Sequence, residues 1–524
     1  MDERTRGLVF LGSLLGPIPF VWFIVAKFTY GIDNTNARYL IPYLLKNTFN
    51  LWPLYSAIIV AVIIGIAVFI SFVIYQKNIV FKGEKFKRVL RGTTLVRASQ
   101  LKEKTRERGM KQLTISGIPI PTKVENLHFS IGGTTGTGKT TIFNEIIYSS
   151  ILRSKLSTEK QGKDKRIVLD PNGTFVSNFF KEGDVILNPY DKRTEGWSFF
   201  NEIRQDYDFS RFSKSIIQKS ESATSEEWLG YGRLLFRSVS EKLYRHNIKP
   251  TMREIFSYTN EVSEDELKEF VSGTAATGLF TGNDRASASA RFVLSDKLPP
   301  HFEMPDGDFS LRDWLQDGKP GTLFITWQEE MRESLKPLIS CWLDTIFSIV
   351  LGMGERELSE GRILVFIDEL ESLDNLPNLS DALTKGRKSG LCVFAGYQSV
   401  SQLIHVYGPH IAETILADMR SNVVLAGARL GEKTLEHMSK SLGEIEGIVE
   451  RPSSEQGQAW GKQRLSSSVV NTRAVTPTEI AQLENLTGYI AMPGSLPVAK
   501  FKTEHVKYER REKVPGIELR SNYA

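Results

Sequence analysis

The sequence predicts an α/β protein built on a mostly parallel, doubly wound sheet. It adds an inserted all-α domain and an N-terminal two-helix transmembrane hairpin. Three observations predict this. From Lys111 onward, short apolar runs rich in β-branched residues alternate with segments of helical periodicity. Residues 204–305 break the alternation and keep only the helical period. Two long uncharged runs, 7–26 and 47–76, precede everything else.

The hairpin comes first in the chain. The run 47–76 is long enough to cross a bilayer with some tilt. The run 7–26 contains Pro17 and Pro19, and a cleavable signal peptide is its rival reading. Its length, and a second run close behind, favour two spans at residues 8–26 and 51–75 within a membrane domain 1–80. Orientation follows from basic residues flanking the spans. Residues 77–111 hold twelve Lys/Arg against three Glu, while the loop between the spans holds Lys27, Arg38 and Lys46 against Asp33. Both termini are therefore expected in the cytoplasm.

The sheet follows. The segment 111–121, KQLTISGIPIP, predicts a strand pair leading to the strand LHFSI. Further strands are expected at 166–175, 184–191, 321–328, 363–367, 391–399, 422–429 and 487–494, with a long amphipathic helix from Ser334 to about Leu351. The expected division is a first nucleotide-binding part at 81–203, the helical insertion at 204–305 and a second nucleotide-binding part at 306–524. The polar stretch 451–467 is expected as a mobile loop or strand pair.

The chemistry is carried by two segments. Gly133-x4-Gly138-Lys139-Thr140 stands between an apolar strand and a helical pattern, the context a phosphate loop requires. Gly133, Thr134, Thr135, Gly136, Thr137, Gly138, Lys139, Thr140 and Thr141 are the expected nucleotide-binding residues. Bare glycines let backbone N–H groups turn towards phosphate oxygens at a helix N-terminus. Lys139 would reach the outer phosphates, and the Thr140 hydroxyl would ligate Mg²⁺. A Gly/Thr-rich surface turn is the competing reading, but it explains neither flank. Such a loop hydrolyses ATP only with an acidic site, expected on a neighbouring strand. The run 363–367 ends in Asp368-Glu369 and supplies it. Asp368 would hold Mg²⁺ and Glu369 would polarise the attacking water. Lys139 and Asp368 stand 229 positions apart, more than a few βαβ units need, which again calls for an insertion.

Composition limits the alternatives. The chain has 524 residues, 24% charged, which is a globular composition with room for several domains. Its two cysteines, Cys341 and Cys392, lie in apolar runs and build no disulfide framework. The seven histidines are scattered and suggest no zinc site. The net charge of +5 is less than the +9 of residues 77–111 alone, so the rest of the chain is acidic on balance. Net charge therefore gives no independent support for nucleic-acid binding by the cytoplasmic body, and the basic segment suits an anionic lipid surface.

With these parts in place the sequence resembles the type IV secretion coupling proteins, the TraD/TrwB-like inner-membrane ATPases of bacterial conjugation. The resemblance is carried by GTTGTGKTT, LDPNGTF, ILNPYDKRTEGWSFFNEI, SLRDWL, LKPLISCWLDTIFS, SLGEIE and, most specifically, FIDELESLDNLPNLSDALTKGRKSGLCVFAGYQSVSQL. It implies a RecA-like P-loop NTPase core, ATP and Mg²⁺ as ligands, and a homo-oligomer, a hexameric ring. The implied cargo is single-stranded DNA attached to a relaxase, with relaxosome proteins, delivered to inner-membrane components of a type IV secretion channel. Gln398 matches the family's γ-phosphate-sensing glutamine. Arg387 matches an arginine proposed to reach a neighbour's nucleotide, a task that suits its planar fork; a solvated helix-end arginine is the alternative. The chain stops soon after VPGIELRSNYA, like the shorter members, so substrate choice is expected to fall to the all-α domain.

A membrane-anchored receptor that recruits protein effectors would carry the same motifs. No aromatic-interleaved basic patch decides between DNA and protein cargo.

Overall fold

In the computed structural model, which describes residues 12–13, 15–78, 86, 88–156, 163–220, 223–247, 249–281, 284–373, 375–427, 430–453, 464–506 and 514–520, the chain divides into two units. One comprises Met1–Lys87 with Val449–Leu465, the other Arg88–Ile448 with Ser466–Ala524. Parts of the expected first span, the basic segment, the polar stretch 451–467 and the C-terminus lie outside the described residues.

The first unit is built on two apolar helices, Pro17–Tyr30 and Trp52–Asn78, which pack together. Gly31, in the left-handed region at φ 67°, ends the first of them. A further helix, Ala37–Lys46, occupies what the sequence reads as loop. Trp22, Ala26, Ile32, Leu44 and Leu54 form a small buried cluster, and the Trp22 indole N–H donates to Thr48 Oγ1 at 3.1 Å. The stretch Trp52–Ile70 has a mean hydropathy of 2.6 and is long enough to cross a membrane. At the expected first span, residues 12–13 and 15 are helical and the helix Pro17–Tyr30 runs four residues beyond the expected end at 26; residues 8–11 and 14 lie outside the described residues. Glu329–Leu351 is also long and apolar, but it is 72% buried, the mark of a core helix.

The second unit carries the sheet. The described strands are β1 (Arg88–Gly92), β2 (Leu95–Arg97), β3 (Thr114–Ile115), β4 (Ile118–Pro119), β5 (Phe129–Gly132), β6 (Lys165–Pro171), β7 (Val185–Leu187), β8 (Gly321–Trp327), β9 (Ile363–Ile367), β10 (Leu391–Tyr397), β11 (Ser421–Leu425), β12 (Glu444–Ser453), β13 (Arg464–Arg473), β14 (Thr487–Ala491) and β15 (Val498–Lys502), of which β12 and β13 cross the boundaries of the second unit at 448 and 466. Ten of them form one sheet in the order β2-β15-β14-β11-β5-β10-β9-β6-β8-β7. From β11 to β7 the strands are parallel; β14 is antiparallel to both β11 and β15. The central strands are buried along their whole length, as continuous apolar runs such as Ile363–Ile367 require. The predicted pair at 111–121 is a separate hairpin of β3 and β4, and β1 pairs antiparallel with β12.

One expectation is corrected here. The acidic strand β9 is not beside the phosphate-loop strand β5, because β10 lies between them. Residues following β10 therefore stand between the two halves of the site.

Between β7 and β8 the described residues of 204–305 form no strand. They form helices, chiefly Tyr207–Ile216, Ala223–His246, Glu264–Phe270 and Asp284–Lys297. Phe209, Phe212, Leu235, Phe236 and Leu294 join one apolar cluster with Leu323 and Ile325 of the sheet and Trp342 of the helix Arg332–Leu351. A second cluster covers the other face, where Ile142, Phe143 and Ile146 pack on Phe366 and Phe394.

Candidate functional site

β5 ends at Gly132, and the next helix starts at Lys139 with Gly138 as its N-cap. Gly136 at φ 78° and Gly138 at φ 111° let the intervening loop turn back on itself, a conformation most side chains resist. The loop is fixed from outside by backbone bonds: Gly133 N–H to Tyr397 O at 3.2 Å, Thr134 N–H to Ala426 O at 3.4 Å, and Leu486 N–H to Thr137 O at 3.0 Å. Thr137 Oγ1 donates to Thr134 O at 2.7 Å, and Thr141 Oγ1 lies 3.3 Å from His505 Nδ1.

Lys139 is buried, and its ammonium donates to Gly133 O at 2.7 Å and Thr134 O at 3.3 Å. Burial lowers its pKa, while the carboxylates Asp368, Glu369 and Glu371 act in the opposite sense. Thr140 Oγ1 donates to Asp368 Oδ2 at 3.0 Å. Asp368 is itself held above the usual carboxylate range by burial, with Lys139 pulling it down. Its Oδ1 is buried without a hydrogen-bond partner. An unpartnered carboxylate oxygen beside a threonine hydroxyl is a hard oxygen set that fits Mg²⁺, which takes one or two carboxylates and keeps its other positions for water and phosphate. Asp368 and Thr140 would hold it.

Glu369 and Gln398 meet directly, with Gln398 Nε2 donating to Glu369 Oε1. Gln398 Oε1 accepts from Thr135 Oγ1 at 3.3 Å, so one amide bridges the acidic strand and the phosphate loop. This is the consequence of β10 lying between β5 and β9.

The nine loop residues, Asp368, Glu369 and Gln398 thus come together. Arg387 does not join them. It precedes β10, whereas Gln398 follows it, and the strand's seven residues span ~23 Å. Arg387 is partly exposed beyond the opposite, N-terminal end of this central strand, where its carbonyl accepts from Asn126 Nδ2 at 3.2 Å.

Two contributors went unassigned in the sequence reading. Glu371 Oε1 accepts the Gln398 N–H at 2.5 Å and seats the bridging residue. The acidic repeat Asp368, Glu369, Glu371 was a signal for it. Asp170 at the end of β6 is fully buried and accepts the N–H groups of Phe175 at 2.9 Å and Val176 at 2.6 Å. Burial pushes its carboxyl up to about 7, against the pull of those backbone donors. Strand-end position alone did not mark it as buried.

Comparison with known proteins gives a consistent result. Residues 112–504 match the family model described as the type IV secretion-system coupling protein DNA-binding domain. The coupling protein TraD of Escherichia coli K12 is 28% identical over 417 residues, covering 77% of this chain and 55% of TraD. The type IV secretion system-coupling protein VirD4 of Bartonella quintana is 22% identical over 394 residues, covering 71% of this chain and 58% of VirD4. The chain spans about half the length of the curated relatives it matches. Among solved structures, the unbound bacterial conjugative coupling protein TrwBdeltaN70 superposes with a TM-score of 0.76 at 45% identity, covering 84% of this chain and 98% of that one. The plasmid coupling protein TrwB in complex with ADP and Mg²⁺ gives 0.74 at 45% identity, with the same two shares. The α/β core is thus that of a RecA-like P-loop NTPase with a helical insertion, and the chain belongs to the type IV secretion-system coupling protein family.

Proposed function

We propose that the chain is an inner-membrane ATPase that recruits a relaxase–DNA substrate and drives single-stranded DNA into a type IV secretion channel. The observation that carries the chemical part is the bridge by Gln398 between Glu369 and Thr135, beside Lys139, Thr140 and Asp368. It gathers a phosphate cradle, a base and a sensor into one place. In the proposed reaction a water oxygen attacks the terminal phosphorus of ATP, its proton passes to Glu369, and the bond to the bridging oxygen breaks to release ADP. Glu369 orients and deprotonates the water, and Gln398 registers the terminal phosphate. Lys139 places its charge against the outer phosphate oxygens. Mg²⁺, when bound with nucleotide, neutralises charge on those oxygens. TrwB, 45% identical to this chain, has been crystallised with ADP and Mg²⁺ and with ADPNP, which supports both ligands here.

Arg387 stands about a strand length from its own loop, and its proposed role is to act on the nucleotide of a neighbour. That requires a ring, proposed to be a hexamer. The hairpin anchors the ring with both termini in the cytoplasm, as the basic residues 77–111 favour. Working boundaries are 1–80 for the hairpin, 81–203 and 306–524 for the nucleotide domain, and 204–305 for the helices that meet relaxosome proteins.

The test is ATP turnover by the full chain in lipid nanodiscs, with and without a single-stranded oligonucleotide. The reading expects turnover that rises severalfold with the oligonucleotide. Turnover indifferent to DNA contradicts it.

A further inference from the structure

The phosphate loop is held by two arms, β5 leading in and the helix Lys139–Lys155 leading out. The far ends of both arms return to one short segment, residues 125–128. At the end of the helix, the buried Arg153 guanidinium donates to the buried Glu125 carboxylate at 2.6 Å and to Asp164 at 2.9 Å. At the start of β5, His128 is fully buried. It is one of four described non-glycine residues at positive φ, at 57°, a backbone state that costs energy and marks a constrained position.

The same segment brackets Arg387. His128 Nδ1 accepts the Val393 N–H at 3.1 Å, so its other nitrogen carries the proton and donates to Leu383 O at 2.8 Å. Leu383 lies in the helix before Arg387, and Val393 in the strand after it. Between these, Asn126 Nδ2 donates to the carbonyl of Arg387 itself at 3.2 Å. Three hydrogen bonds thus fasten residues 126–128 to the segment 383–393: one to the turn at Arg387 and one to each element flanking that turn.

We infer that residues 125–128 are a clamp tying the presentation of Arg387 to the phosphate-loop unit of its own subunit, with Asn126 and His128 as positioning residues. The inference rests on the reading of Arg387 as the charge that completes a neighbour's site. Its consequence is directional. The nucleotide state of one subunit, felt by the two arms, sets how that subunit offers Arg387 to the next.

The test uses the full chain in nanodiscs and four variants. Asn126→Ala removes the bond to Arg387 from a half-buried turn. His128→Asn tolerates the left-handed backbone and retains an acceptor near Val393, but it is too short for Leu383 O. Arg387→Ala and Lys139→Ala serve as references. Both clamp variants are expected to lower kcat about tenfold or more, because small misplacements of a charged group are costly. KM for ATP and the affinity for a fluorescent ADP analogue are expected to stay at parental values. Asn126→Ala combined with Arg387→Ala should be no slower than Arg387→Ala alone. Mixing Asn126→Ala chains with Lys139→Ala chains should restore turnover, since intact loops then meet well-placed arginines. Parental kcat in both clamp variants alongside an inactive Arg387→Ala overturns the clamp and spares the arginine's role. A fully active Arg387→Ala overturns both. A kcat lost in Asn126→Ala and not restored by mixing places the segment's effect on its own loop and also overturns the clamp. Should His128→Asn fail to fold, judged by thermal melting, Asn126→Ala decides alone.

Discussion

Thr140 Oγ1 donates to Asp368 Oδ2 at 3.0 Å, while the second oxygen of the same carboxylate is buried without a hydrogen-bond partner. A buried acceptor left in that state costs free energy unless a cation or donor arrives. The Lys139 ammonium, which also influences Asp368, is turned towards the carbonyls of Gly133 and Thr134. Mg²⁺ would give the unpartnered oxygen a cation, and phosphate oxygens would give the Lys139 ammonium anionic acceptors.

Lys139→Ala is therefore expected to lower ATP turnover by at least about 100-fold, because the phosphate oxygens lose their principal protein cation. Phosphate release by the purified variant measures this. Turnover within a few-fold of the parent would count against the loop as the nucleotide site.

Glu369→Gln separates binding from chemistry. The variant should bind nucleotide as the parent does and lose about 100-fold to 10,000-fold in turnover, since the water alone loses its base. Equilibrium binding and single-turnover hydrolysis give the two numbers independently. Hydrolysis at the parental rate would remove Glu369 from its role.

Asp170 gives a pH signature in stability. Its carboxyl sits at about 7 in the folded chain, against ~3.9 when unfolded. Between those values the native state holds a proton that the unfolded state has released. Its contribution to stability is full below about 4 and is lost as pH rises through about 7. The melting temperature of the parent should thus fall from pH ~5 to pH ~7.5 by more than that of Asp170→Asn, measured side by side. Equal slopes would show that Asp170 does not hold that proton.

Removal of residues 1–87 should leave a folded, nucleotide-binding body, because every strand of the ten-stranded sheet lies after that point. It should assemble less readily, since the apolar helices no longer confine subunits to one plane and raise their effective concentration. Solubility and sedimentation at micromolar concentration check both statements. Insolubility, or assembly as complete as the full chain's, would contradict them.

The grouping of the phosphate loop with Asp368 and Glu369 was largely legible in the sequence, because its signals are local. Glycines at fixed spacing before Lys139, and an apolar run ending at Asp368, each report their own backbone surroundings. What sequence could not supply was non-local. The position of β10 between β5 and β9 depends on strand pairing across more than 200 residues; the resemblance assigns Gln398 to the terminal phosphate but does not give its bonds to Glu369 and Thr135. The same holds for β15, whose short run at 498–502 carries two lysines and was not read as a strand. The helix Ala37–Lys46 went unread because its segment stands between the two apolar runs and its Arg38 and Lys46 count as loop charges. His128 looked like one scattered histidine; only its bonds to Leu383 and Val393 reveal its place.

The central claim is that turnover is completed between subunits, by a loop from one and Arg387 from the next. The direct measurement mixes Arg387→Ala chains with Lys139→Ala chains in nanodiscs and follows ATP hydrolysis. Each variant alone should be inactive, with an intact finger worth about a thousandfold or more in rate. The mixture should regain turnover at the interfaces where an intact loop meets an intact arginine. Parental turnover by Arg387→Ala alone would contradict the claim, since a solvated surface arginine contributes almost nothing.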